Sequence, residues 1–380
     1  MAEPKRPKVF LLTPTIAPYR IPVFNFLAAQ PDLCFHVCFL SRSEWIRKWQ
    51  IDSQQMNFEY SVLPGIHFFV PWLDWGIHLS AGLLWTMIRY RPQIVVCTAW
   101  DNPAYFLMLI YARLMGCKVV LWAGTSNYRQ VSRKRWVFAV KSWFIRRFDS
   151  YLSYGTEAKK YLVEHGAPPE RIVVGGNSVD VHMYERLAEQ SRARGRVDKL
   201  REQYSGKVIL YVGRFIENKR PDYLLEALAR MKQGDWTCIL IGWGPDEPEI
   251  RTRCNQPDLR GKVEIAGFQP AERLVDFYLL ARVFVLPSFR EPWGLVVNEA
   301  MACGLPILVS KNCGCRPELC KEGVNGYSFS PKDTKAISQL MQKVSSSDIE
   351  ALGNASRHIA SSFTPEIWAV KLKKIIDGLA

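Results

Sequence analysis

The sequence predicts two consecutive α/β domains, each built on an open, mostly parallel sheet. Three observations predict it: a 380-residue chain that is 48% hydrophobic, short apolar runs alternating with helix-compatible stretches, and a restart of that alternation after a polar interval near the middle. Such a length favours about two domains. The apolar content excludes disorder as a description of the whole.

In the first half, residues 9–12, 33–40, 94–97 and 118–122 are strand-like. Helix-compatible stretches near 21–29, 103–115 and 133–147 lie between or after them. A last run, 171–174, leads into Gly175-Gly-Asn-Ser-Val-Asp180. Residues 185–206 are polar, charged and poor in core residues, which predicts a seam; the rhythm resumes at 207–213. Strands follow at 237–241, 263–266, 283–286 and 306–309, with helices near 221–232, 271–281 and 295–303. The expected boundaries are 1–190, 191–362 and a terminal helical segment, 363–380, that packs back on the first domain. Strand ends that face one another across two such sheets form a cleft, the usual ligand position.

Lys and Arg number 50 against 36 Asp and Glu, a formal charge of +14 that favours phosphorylated small molecules, polyanions or anionic membranes. The charge is uneven. Between Asp101 and Asp149 no acidic residue occurs, and nine basic ones do. Ten cysteines lack zinc-type Cys-x-x-Cys spacing, and Cys313, Cys315 and Cys320 have no histidines nearby, so reduced, mostly buried thiols are expected. No signal peptide is expected at the start. The apolar stretch 66–88 is interrupted by His67, Pro71, Asp74 and His78, which argues against a spanning helix. A cytosolic location, peripheral on the inner membrane face, is the expectation.

The most informative segment runs from Pro287 to Pro306. A strand stops, a loop with Pro and Gly follows, and a helix begins near Trp293 or Gly294 and ends at Gly304. Glu291 precedes that helix and Glu299 lies about a turn inside it, so two carboxylates flank a helix N-terminus suited to an anion. Arg214 and Lys219 follow the strand ending at Gly213, at the carboxyl edge of the second sheet. Cations and a helix N-terminus suit a diphosphate; carboxylates beside them accept hydrogen bonds from vicinal hydroxyls. Together these groups match a nucleotide sugar.

Here the chain resembles the retaining glycosyltransferases of family four, which have the GT-B fold of two Rossmann-like domains. The resemblance rests on Val212-Gly-Arg-Phe-Ile-Glu-Asn-Lys219, Ile241-Gly-Trp-Gly-Pro245, Ala266-Gly-Phe268, Leu286-Pro-Ser288, the Glu291 and Glu299 pair, and Gly323-Val-Asn-Gly-Tyr327. It implies an acceptor-binding first domain and a nucleotide-sugar-binding second domain. It further implies that Arg214 and Lys219 bind the donor diphosphate, Glu299 the ribose and Glu291 the transferred sugar. Backbone around Trp293, Gly294 and Leu295 meets sugar and phosphate, and Gly267 and Phe268 border the base. Arg214, Lys219 and Glu291 are the catalytic candidates for hexosyl transfer.

In the first half, Thr13-Pro-Thr-Ile-Ala-Pro-Tyr-Arg20 resembles the opening loop of bacterial surface-polysaccharide transferases, and Asn177-Ser-Val-Asp180 the family's Asn-Gly-Val-Asp turn. The opening loop lacks the glycine pair of many members, which makes Arg20 the candidate for a phosphate contact there. Where many members carry a first-domain histidine, this chain reads Leu121-Trp-Ala-Gly-Thr-Ser126, and no residue is assigned that role.

No Asp-x-Asp triplet occurs, so metal-independent transfer from a nucleoside diphosphate sugar to a glycan or lipid-linked glycan is expected, with no cofactor. The run 133–148 mixes aromatic residues with six cations, which suits an interfacial helix on anionic membrane as well as an ordinary domain helix. Nucleic-acid binding is the competing class, but the basic run carries no recognisable signature of it. A non-catalytic sugar-nucleotide binder is the other alternative.

Overall fold

The computed structural model describes residues 6–43, 49, 51–70, 75–125, 135–204, 206–231 and 235–380. Its first strand, β1 (Lys8–Thr15), sends Phe10 and Leu12 into one hydrophobic core and Val9 and Leu11 into another. Side chains alternate along a strand, so a strand apolar on both faces requires a layer on each side.

The first unit supplies those layers with α1 (Ile21–Ala28), β2 (Cys34–Ser41), β3 (Glu59–Val62), β4 (Gly65–Val70), β5 (Trp75–Ser80), α2 (Leu83–Tyr90), β6 (Ile94–Cys97), α3 (Pro103–Leu114), β7 (Lys118–Ala123), α4 (Arg135–Ile145), β8 (Ser150–Ser153), α5 (Thr156–Glu164) and β9 (Ile172–Val174). Seven strands form a parallel sheet in the order β3-β2-β1-β6-β7-β8-β9, and β4 pairs with β5 as a separate antiparallel hairpin. Helices α2 to α5 cover one face of the sheet. Asn102 caps α3 by accepting from Ala104 N at 3.1 Å, with Pro103 at the first helical position. Among the described residues no helix is long and apolar enough to cross a membrane; 66–88 is occupied by the hairpin and α2, with Pro71 and Asp74 outside the described residues.

The second unit contains α6 (Val181–Ala193), α7 (Arg196–Gln203), β10 (Lys207–Val212), α8 (Pro221–Ala229), β11 (Trp236–Ile241), α9 (Glu247–Cys254), β12 (Val263–Gly267), α10 (Ala271–Leu280), β13 (Val283–Leu286), α11 (Leu295–Ala302), β14 (Ile307–Ser310), α12 (Arg316–Leu319), β15 (Gly326–Phe329), α13 (Thr334–Ser345) and α14 (Ile349–Ala360). Its six parallel strands run β12-β11-β10-β13-β14-β15. The order therefore reverses between β10 and β13. Both units are Rossmann-like open sheets.

The division falls between Gly176 and Asn177, not at residue 190, and Pro365–Ala380 completes the first unit. The polar stretch taken as a seam is helical and belongs to the second unit. Tyr184, Ala188, Ser191 and Val197 bury its sparse apolar side, and Ser191 Oγ donates to buried Asp276 on α10 at 2.5 Å. The last helix, α15 (Pro365–Asp377), lies against α1 and places Trp368 with its ring 4.2 Å from that of Trp122. All ten cysteines are unpaired thiols, nine of them buried.

Trp368 is 2% exposed. Trp368→Ala opens a large cavity behind β7 and is expected to destabilise the first unit by about 3–5 kcal/mol. The fall in the urea midpoint, followed by circular dichroism, measures it.

Candidate active site

The site is assembled by loops that leave the carboxyl ends of β10, β11, β13 and β14. In an open parallel sheet the crevice at a strand-order reversal is free of a crossing connection, and here it lies between the loops after β10 and β13. The carbonyl of Asn218 ties these loops together by accepting from Phe289 N at 2.9 Å and Arg290 N at 3.2 Å. Across the same junction Lys219 Nζ donates to Glu291 Oε2. The Glu291 side chain is 7% exposed and that of Lys219 23%, so the pair is largely withdrawn from water.

Two neighbouring loops brace this pair. After β14, Gly314 N donates to Glu291 O at 2.9 Å, Cys315 N to Trp293 O at 3.3 Å, and Asn312 Nδ2 to Phe289 O at 2.9 Å. A Cβ on Gly314 would stand 1.9 Å from the carbonyl oxygen of Pro292, so only glycine allows this approach. After β11, Phe215 N donates to Trp243 O at 2.9 Å, and a Cβ on Gly244 would sit 2.1 Å from Phe215 O. Gly213 ends β10 by donating to Ile241 O at 2.9 Å, and Tyr211 Oη donates to the Arg214 carbonyl at 3.0 Å. Arg214 thus leaves β10 on a fixed backbone.

Gly294 opens α11 at φ +98°, a left-handed conformation natural to glycine. The helix N-terminus, with Leu295 at its first position, follows Glu291 by four residues. Its first-turn N–H groups and dipole favour negative charge. Glu299, one turn further, is half-buried and accepts from Tyr278 Oη at 2.9 Å. Burial pushes the Glu299 carboxyl above the usual carboxylate range, while hydrogen bonds from Tyr278 and Tyr184 pull it back. Burial and the Glu299 carboxylate push both tyrosine hydroxyls well up.

Lys219 and Glu291 are in direct contact, and Gly213, Arg214, Gly294, Leu295 and Glu299 lie on the same sheet edge or on the helix it feeds. At Trp293 the expected contact is one of the backbone. Its indole is 2% exposed and donates to Asn298 Oδ1 at 2.8 Å, so only its backbone remains for a ligand. Gly267 ends β12 at φ +69°, followed by Phe268, which is 46% exposed. An aromatic ring left in water at a strand end suits stacking.

Arg20 lies in the first unit. Its guanidinium donates to Thr13 Oγ1 at 2.7 Å and Tyr154 Oη at 2.8 Å and stacks over Trp122, 4.4 Å from the ring centroid. Ser126 of the 121–126 strand end, and Arg133 and Lys134 of the basic run, lie outside the described residues. Asn218, Gly314, Tyr184 and Tyr278 are site residues that sequence reasoning missed. For the glycine the signal was its place between two cysteines after a strand; the tyrosines carry no signal distinct from core packing.

Residues 196–359 match the family model described as Glycosyl transferases group 1. The matched stretch lies within the second unit. It is 28% identical over 239 residues to a D-inositol 3-phosphate glycosyltransferase of Streptosporangium roseum, a match covering 59% of this chain and 53% of the relative. It is 29% identical over 183 residues to the amylovoran biosynthesis glycosyltransferase AmsK of Erwinia amylovora, covering 45% of each. The match thus spans about half the length of these curated relatives. In fold the chain is similar to Anabaena Alr3699/HepE in complex with UDP, with a TM-score of 0.78 at 17% identity, over 98% of this chain and 100% of that one.

Lys219→Met leaves the buried Glu291 carboxylate unpaired and is expected to destabilise the second unit by about 3 kcal/mol. Adding Glu291→Leu should restore at least half of that loss. Chemical denaturation of the two single variants and the double variant checks the cycle.

Proposed function

We propose that the chain is a retaining glycosyltransferase that moves a sugar, in the first instance a hexose, from a nucleoside diphosphate sugar to a glycan or lipid-linked glycan. The observation that carries the reading is the Lys219–Glu291 pair at the strand-order reversal, beside the glycine-opened N-terminus of α11. An ammonium has three donors. One goes to Glu291, and the others can reach phosphate oxygens.

In this reading Arg214, Lys219 and the first-turn N–H groups of α11 neutralise the diphosphate as it departs, without a metal ion. Glu291 accepts hydrogen bonds from the hydroxyls of the transferred sugar and Glu299 from the ribose, while Phe268 borders the base. The bond from the anomeric carbon to the phosphate oxygen breaks and a bond to the acceptor oxygen forms on the same face. The acceptor proton passes to the leaving diphosphate. Arg20 is the first-domain candidate for a phosphate contact. The AmsK relative, named for polysaccharide biosynthesis, supports a role in polysaccharide or glycolipid assembly, and the UDP-bound neighbour makes UDP-sugars the first donors to test.

A thermal-shift panel of UDP-, GDP-, ADP- and dTDP-sugars is expected to show stabilisation by one class, reduced at least tenfold in apparent affinity by Arg214→Ala. Transfer should persist in excess chelator; activity lost there and restored by Mg²⁺ would remove the metal-free part. No stabilisation by any donor would remove the reading itself.

The Glu299 carboxyl, already raised, loses a donor in Tyr278→Phe and should rise further. Only its ionised form accepts two hydrogen bonds from ribose hydroxyls, so donor affinity falls as pH drops through this value. The acidic limb of a titration of donor Kd against pH is expected to move to higher pH in the variant.

A further inference from the structure

We propose that the outer surface of α2, α3 and α4 in the first unit docks on an anionic lipid bilayer. The inference stands apart from the donor site, which lies in the other unit. Eleven large apolar side chains on these helices and at the end of α3 are exposed: Leu84, Trp85, Ile88, Leu107, Ile110, Leu114, Met115, Trp136, Phe138, Val140 and Trp143. They are more than half of the large hydrophobic residues exposed among the described residues. Leu114 is 81% exposed, Trp136 66% and Trp85 64%, values at which a core or packing role is excluded.

The three helices form one layer. Tyr111 Oη of α3 donates to Met87 O of α2 at 3.2 Å, and Phe106 of α3 stacks on Trp143 and packs against Phe144 of α4, at 6.4 and 4.8 Å between ring centroids. All three helices rest on the same core beneath the sheet. Their outward residues are therefore neighbours and not scattered singly, and an apolar area of this extent marks an interaction surface.

The charge pattern selects the occupant. None of the three helices contains an acidic residue, while exposed Arg89, Arg91, Arg113, Lys118, Arg135, Arg146 and Arg147 lie on or beside them. Two of these cations stack on the exposed indoles: Arg89 over Trp85 at 5.5 Å and Arg147 over Trp143 at 3.9 Å. Trp, Leu and Ile that enter the acyl boundary, beside Arg and Lys that remain at headgroup level, are the composition of an interfacial surface. A second copy of the chain fits poorly, because two-fold pairing would set two cation-rich faces, with Asp149 on Arg113 as the acidic partner recorded beside the three helices, against each other. The surface is wider than the run 133–148 implied, since α2 and α3 contribute most of its aliphatic residues.

The test is sedimentation of the full chain with phosphatidylglycerol/phosphatidylcholine vesicles and with phosphatidylcholine vesicles at near-physiological salt. Binding to the anionic vesicles should be at least tenfold tighter and weaken as salt rises. Trp85→Glu/Leu114→Glu should lower it at least tenfold, and Arg89→Glu/Arg135→Glu should lower it as well. In the same samples the melting temperature and donor binding should stay those of the unaltered chain. Absence of vesicle binding, or equal binding by the unaltered chain and the stably folded variants, overturns the proposal. A concentration-dependent dimer that Trp85→Glu/Leu114→Glu abolishes, without vesicle binding, assigns the surface to a second copy instead and equally overturns it.

Discussion

The contact around which the loops at the second domain's sheet edge are arranged is the ion pair of Lys219 and Glu291. It joins two loops that begin on different strands, 72 positions apart in sequence, where the sheet changes direction. A pair so far out of water is maintained only when the surrounding backbone holds both partners in register. The Asn218 carbonyl does this from one side and Gly314 from the other. The charge balance of the site and its shape are therefore the same problem, and the backbone solves both before any ligand arrives.

That dependence explains where this chain uses glycine. Gly244 and Gly314 occupy positions where a methyl group would overlap a carbonyl oxygen, and each brings a neighbouring loop against the one carrying a charged group. The apolar sheet beneath is rigid because both of its faces are covered, and its strands end at nearly one level. Loops that spring from a rigid edge need few residues to converge, which suits short connections such as that from β10 to α8.

Much of the fold was legible because strands buried on both faces are nearly continuous apolar runs, as in 9–12 and 207–212. What was not legible had weaker signals. β8 contributes only Ser150-Tyr-Leu-Ser153, and β4 with β5 falls in an aromatic stretch with no regular alternation. Helices α6 and α7 looked like a polar seam because a handful of side chains fastens them, with Asp276 receiving Ser191 and Arg196. At the site the charged residues were readable through the motifs they share with a family. Tyr184 and Tyr278, which hold Glu299, come from two helices whose pairing only the folded chain reveals.

The polypeptide passes from one unit to the other twice, once at Gly176–Asn177 and again at Thr364–Pro365. The second domain is thus an insertion within the first, and the first is finished only when α15 arrives and covers Trp122 with Trp368. A nascent chain released as far as residue 176 would carry α1 on that apolar sheet face but leave the part around Trp122 uncovered until everything downstream had been synthesised. The domain encoded later is thus complete in sequence before the one encoded earlier, which waits for its last helix.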